Sequence, residues 1–155
     1  MSTPAENLAA LGLTLPEVVP PVAAYLPAVR TGSYVYTSGQ LPMRDGALIS
    51  TGKVGADVTA EEAQECARLC ALNALAAVAS LVDGDLTRVA RVVKAVVFVA
   101  STPDFTGQPT VANGASELLG AVFGDAGVHA RSAVGVSVLP LDAPVEVEVI
   151  VELTA

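Results

Sequence analysis

The 155-residue chain has no Trp, three Tyr, three Phe, one His and two Cys. Aromatic residues make up 4% of it and hydrophobic residues 52%. So apolar a composition excludes a disordered chain, and its core must be filled with Ala, Val and Leu, small side chains that let backbones approach closely. Positive charge is also scarce: eight Lys and Arg stand against sixteen Asp and Glu, a net charge of -8. The basic residues are scattered, which argues against a nucleic-acid surface, where Lys and Arg neutralise phosphates. The same charge opposes docking on an anionic membrane.

Cys66 and Cys70 lie one helical turn apart. They could seed a metal site on one helix face, but the single His129 is remote in sequence, and a site needs more ligands. They read as small residues of an apolar helix face, too poorly placed for a disulfide, and no metal is expected. The strongest apolar run, Val92 to Ala100, is broken by Lys94 and is far too short to cross a bilayer. No basic segment followed by an apolar stretch opens the chain, so the expected location is cytoplasmic. Walker-type phosphate loops, HExxH and GxSxG are absent from the sequence.

No repeat or charged linker divides the chain, which reads as one domain over residues 1–155. Residues 1–20 are Pro-rich and read as an extended N-terminal arm ending at Pro20-Pro21. A strand is expected over Val29 to Ser38, with Thr31-Gly32 as a turn before its main part. Asp45-Gly46 signals a hairpin leading into a short strand at Ala47 to Ser50. Thr59-Ala60-Glu61-Glu62 is a capping box, and Ala63, Ala67, Cys70, Ala74, Ala77 and Leu81 continue at helical spacing. The β-branched run Val89 to Ala100 predicts a buried strand. Gln108-Pro109 opens a second helix through Phe123, although Gly114 and Gly120 each weaken it by roughly 1 kcal/mol against Ala.

Two strands close the chain, over Ser132 to Leu139 and Val145 to Leu153. In the first, Ser132, Val134, Val136 and Val138 share one face, and Arg131, Ala133, Gly135 and Ser137 the other. The small residues of the second set suggest a close-packed partner. The order of elements predicts an α+β fold, a mixed sheet with two helices on one face. Its other face then needs covering, which predicts a homo-oligomer. Arg131 emerges beside that small-residue set. A partly buried guanidinium needs a partner, and its planar fork fits a carboxylate; the partner is either Glu146 or Glu148, or the carboxylate of a small ligand. His129 stands beside a strand, as a surface or capping residue or as the His of a catalytic triad.

Ala130-Arg131-Ser132, Leu139-Pro140 and Val145-Glu146-Val147-Glu148 resemble the C-terminal signature of the RidA (YjgF) family. Tyr36-Thr37-Ser38-Gly39-Gln40-Leu41-Pro42 is similar to a second signature of that family, and Asn73 and Val92-Val93-Lys94 follow in register. The resemblance spans about residues 20 to 153. It implies a chorismate-mutase-like α+β domain in a homotrimer, sheets facing inward and clefts between subunits. It also implies hydrolytic deamination of 2-imino and enamino acids to 2-oxo acids and ammonia, the activity of a 2-iminobutanoate/2-iminopropanoate deaminase, with no cofactor. By the resemblance Arg131 clamps the substrate carboxylate and Glu146 holds or activates water. Tyr25, Ser38, Gly39, Asn113, Glu117 and Ala133 fall on positions that line the substrate site.

The chain also departs from the pattern. Ala133 stands where the family has Cys, His129 replaces the usual Pro before Ala-Arg, and the stretch Met43 to Val58 is longer than the typical turn. These differences mark a divergent subgroup. The alternative reading is a non-catalytic trimer that binds small carboxylates or acts as a chaperone; ribonuclease or translation-inhibitor activity, claimed for some relatives, fits a chain of charge -8 least.

Overall fold

In a computed structural model, which describes residues 1–21 and 23–155, the chain forms three α-helices and two sheets. The helices are α1 (Pro4–Ala10), α2 (Ala60–Ala79) and α3 (Gln108–Phe123). The main sheet holds β1 (Ala28–Thr31), β2 (Tyr34–Thr37), β5 (Val89–Ala100), β6 (Ala130–Val136) and β7 (Val145–Leu153). Two short strands, β3 (Met43–Arg44) and β4 (Ala47–Leu48), make a separate hairpin. The main sheet runs β1–β2–β7–β5–β6, with β5 and β6 parallel and the other neighbours antiparallel. Among the described residues, no helix is long and apolar enough to cross a membrane.

The local signals explain these elements. Thr59 accepts from the Glu62 amide while the Glu62 carboxylate accepts from the Thr59 amide, so the capping box starts α2 where expected. β5 and β7 are long because Val fits the pleat and alternates between a buried face and a half-buried one. Gly114 allows α3 to lie on α2, since a Cβ there would stand 2.0 Å from the Gln64 carbonyl oxygen. Both cysteines sit in the core of α2 as free thiols. Burial and the carboxylates Glu62 and Glu65 raise the Cys66 thiol to about 11.

Four expectations need correction. Residues 1–20 are not one extended arm: Thr3 and Glu6 form a second capping box that starts α1, and α1 docks on α3 through buried Leu8 and an Asn7 side-chain bond to the Val122 carbonyl. Among the described residues the α-helices therefore number three, not two. The strand expected over Val29 to Ser38 is a hairpin, β1 and β2, because Gly32 turns the chain at φ +58°. The strand expected from Ser132 to Leu139 instead runs from Ala130 to Val136.

The fourth correction concerns the sheet faces. The face of β6 bearing Arg131, Ala133 and Gly135 looks toward the helices of its own chain: Ala133 packs on the main core, and a Cβ at Gly135 would meet the Gln108 side chain of α3 at 2.9 Å. Small residues there receive α3, not a second subunit. The uncovered face carries Ser132 and Val134 of β6 in register with Val96 and Phe98 of β5 and with Glu148 and Glu146 of β7. Tyr34 and Tyr36 continue it onto β2. Tyr36 is 46% and Val134 44% exposed, so this larger, mixed surface is the one left open.

Candidate active site around Arg131

Arg131 lies on β6, at the edge of the sheet, and reaches to the first turns of α3. Its Nη1 donates to Asn113 Oδ1 at 2.8 Å and to Ser116 Oγ at 3.2 Å, and Nη2 approaches the Pro109 carbonyl at 3.4 Å. All three acceptors are neutral. The internal partners offered by the sequence, Glu146 and Glu148, are therefore not the groups that hold it. A guanidinium has five N–H donors; three point at these acceptors, and two remain for a ligand. The cation is half-buried with no carboxylate among its hydrogen-bond partners.

Ser116 extends the contact set. Its Oγ lies 2.9 Å from His129 Nε2, and His129 Nδ1 lies 2.6 Å from the Gly127 carbonyl oxygen. A carbonyl can only accept, so Nδ1 carries a proton; in the neutral imidazole Nε2 then accepts from the Ser116 hydroxyl. Ser116, His129 and Arg131 line a small open cleft of about 280 Å³ with Gly120, Gly127 and Val128. Sequence reasoning left His129 open and passed over Ser116. They lie thirteen positions apart, Ser116 inside α3 and His129 in the link before β6, and the docking of α3 on β6 joins them.

Glu146 is elsewhere. On β7 it pairs with Phe98, whereas Arg131 pairs with Ala95 on the other side of β5. Three residues along β5 separate those partners, an odd number, so the two side chains stand on opposite faces of the sheet. The offset is about 10 Å along the strands and about 10 Å across them. Glu146 is half-buried, and burial, then the neighbouring Glu148, raise its pKa. Gly39 lies against it: a Cβ at that position would fall 2.0 Å from Glu146 Oε1. The chain is held there by the Gln40–Val147 bridge to β7.

The other expected residues divide between these places. Ser38 donates its hydroxyl to the Leu26 carbonyl, fastening the segment that carries Tyr25. Tyr25 is 45% exposed and, with Gly39, lines a second cleft of about 860 Å³ between the N-terminal segment, α2 and the β3–β4 hairpin. Asn73 closes the floor of that cleft, donating to the Leu41 and Met43 carbonyls. Asn113 stands on Arg131, Ala133 lies beneath it on the same face of β6, and Glu117 is exposed on α3. One chain thus assembles Arg131, Asn113, Ser116 and His129 at one place and Tyr25, Ser38, Gly39 and Glu146 at another. It does not bring the two groups together.

A family model described as "YjgF/chorismate mutase-like, putative endoribonuclease" matches residues 5–153. Protein TCP17 of Trypanosoma cruzi is 49% identical over 150 residues, covering 96% of this chain and 93% of that protein. A 2-iminobutanoate/2-iminopropanoate deaminase of Dermatophagoides farinae is 30% identical, over 90% of this chain and 93% of its own length. Among solved structures, the protein Atu1372 from Agrobacterium tumefaciens, of unknown function, superposes with a TM-score of 0.91 at 46% identity, covering 99% of this chain and 94% of that one.

Proposed function

Since the chain belongs to the YjgF/chorismate mutase-like family, we propose that it hydrolyses small 2-imino and enamino acids to 2-oxo acids and ammonia, in a cleft that two subunits of a homotrimer complete. The observation that carries this reading is Arg131, a half-buried cation held only by neutral acceptors, with N–H donors left over. A ligand carboxylate supplies the missing charge through a charge-assisted, two-point hydrogen bond. The resemblance to a 2-iminobutanoate/2-iminopropanoate deaminase, 30% identical over 90% of the chain, supports small 2-imino acids as the class of acid.

The clamp fixes the C=N carbon next to the carboxylate, so that attack by water becomes a step within one complex. Glu146 suits the second role. A carboxyl pushed upward by burial and by Glu148 sits closer to neutrality and moves protons more readily. It holds the water and passes a proton to the imine nitrogen. Because Arg131 and Glu146 occupy opposite faces of one chain's sheet, the Glu146 that serves a given Arg131 comes from a neighbouring copy. The open face with Tyr34, Tyr36 and Val134 provides apolar surface for that association.

Glu146→Gln keeps the shape of the side chain and removes its proton. Turnover of 2-aminoacrylate generated in situ is expected to fall by about 100-fold, while calorimetric binding of pyruvate stays within a factor of two. Unchanged turnover in Glu146→Gln contradicts the role assigned to it. Pyruvate binding without any turnover by the wild type favours the carboxylate-binding trimer.

A further inference from the structure

His129 and Ser116 form a chain of contacts that the deaminase reading does not use. From the Gly127 carbonyl it runs through His129 Nδ1 (2.6 Å), His129 Nε2 and Ser116 Oγ (2.9 Å) to Arg131 Nη1 (3.2 Å). The order of donors is set from both ends. Gly127 O accepts, which leaves Nε2 as the acceptor for the Ser116 proton; Arg131 can only donate, which occupies one lone pair of Ser116 Oγ. A hydroxyl oxygen has two lone pairs. The second is free, and Ser116 lines the same cleft as Arg131. This is the arrangement of a hydroxyl backed by a base that a third group orients.

We propose that Ser116, backed by His129, carries the proton in the hydrolysis at Arg131, accepting it from the attacking water and returning it to the departing nitrogen. The proposal rests on the deaminase reading of this site. Glu146 first gives its proton to the imine nitrogen. The water oxygen then bonds to the iminium carbon, and the C=N electron pair moves to nitrogen. One water proton passes to Ser116 Oγ as the Ser116 proton passes to His129 Nε2. The imidazolium returns a proton by the same path to the amino nitrogen, and the C–N pair leaves with ammonia. The remaining hydroxyl proton goes to the Glu146 carboxylate, so imino acid and water become oxo acid and ammonia with every protein group restored.

Ser116 is the group that touches the reacting atoms, and His129 acts through it. Among the described residues no carboxylate is bonded to Arg131 or Ser116: Glu146 is on the other face, and Glu117 is exposed on α3. The other charged groups on the elements around His129 are Arg131 on β6, which His129 precedes, Asp125 in the 3-10 turn Gly124–Gly127, and Lys94 and Arg91 on β5, the last donating to the Val128 carbonyl at 3.0 Å.

The test uses the full-length protein, 2-aminoacrylate generated in situ, and pyruvate as the carboxylate probe. His129→Asn keeps a polar group beside Ser116 but cannot take up a proton near neutral pH. We expect its kcat to fall by about 100-fold, pyruvate affinity to stay within a factor of two, and the acid limb of the wild-type kcat–pH profile to disappear. Ser116→Ala is expected to lose kcat to a similar extent. A His129→Asn protein with wild-type kcat and an unmoved pH profile overturns the proposal and leaves the deaminase reading standing. So does a loss confined to pyruvate binding, which makes His129 a mere prop for Arg131. Wild-type protein that does not accelerate oxo-acid release overturns the deaminase reading itself, and this proposal with it.

Discussion

The environment of Glu146 makes its ionisation a measurable term in the stability of the fold. Its pKa is raised by burial and then by Glu148, so the folded chain holds this proton more tightly than the unfolded chain does. Stability then declines as pH rises from the ordinary carboxylate value of 4.5 through the raised one. Glu146→Gln removes that penalty. Its melting temperature is expected to exceed the wild type's at pH 7, with the difference vanishing as pH falls below the ordinary value; equal differences at pH 4 and pH 7 contradict this origin. A residue chosen for stability alone would not be an acid here, which supports a functional reason for Glu146. Arg131 is conspicuous in the sequence, because a cation among small neighbours stands out, and the structure gives it only neutral partners. Ser116 is not conspicuous, a short polar side chain inside a helix with no local feature to distinguish it.

At the scale of elements, the two glycines of α3 separate packing from propensity. A Cβ at Gly114 would meet the Gln64 backbone oxygen at 2.0 Å, whereas Gly120 has nothing within 4 Å. Gly114→Ala is expected to destabilise by about 1–3 kcal/mol, because α2 and α3 must move apart. Gly120→Ala is expected to stabilise by about 0.5–1 kcal/mol through helix propensity. Urea denaturation of the two variants reads both signs, and a loss of stability at both positions contradicts the account. Elements with strong local signals were legible: α2 from its capping box, α3 from Gln108-Pro109 and Gly124, β5 and β7 from their Val runs. The α1 helix carries the same kind of signal in Thr3 and Glu6 but was obscured by the prolines around it. The faces of β6 were legible as two sets, but not which set turns inward. Period-two alternation defines faces without orienting them, and Gly135 and Ala133 give way to α3 rather than to a partner.

For the whole molecule, the decisive fact is that the expected site residues fall into two separate groups. One chain folds into a sheet with α2 and α3 on one side, and its topology keeps Arg131 and Glu146 on opposite faces. Neither group explains the other: a guanidinium with spare donors gains by a ligand, and a half-buried carboxyl beside Gly39 gains by a reaction. The proposed reading has both serve one substrate, with the two groups brought together by neighbouring copies. The account is tested most directly by complementation. Arg131→Ala and Glu146→Gln are each expected to release oxo acid from 2-aminoacrylate at about a hundredth of the wild-type rate. When the two variants are unfolded together in equal amounts and refolded, about a quarter of the sites in a closed ring pair an intact Arg131 with an intact Glu146 from a neighbour, so about a quarter of the wild-type activity should return. Mixed oligomers as inactive as their parents, from a wild type that does accelerate the reaction, would contradict a site shared between subunits.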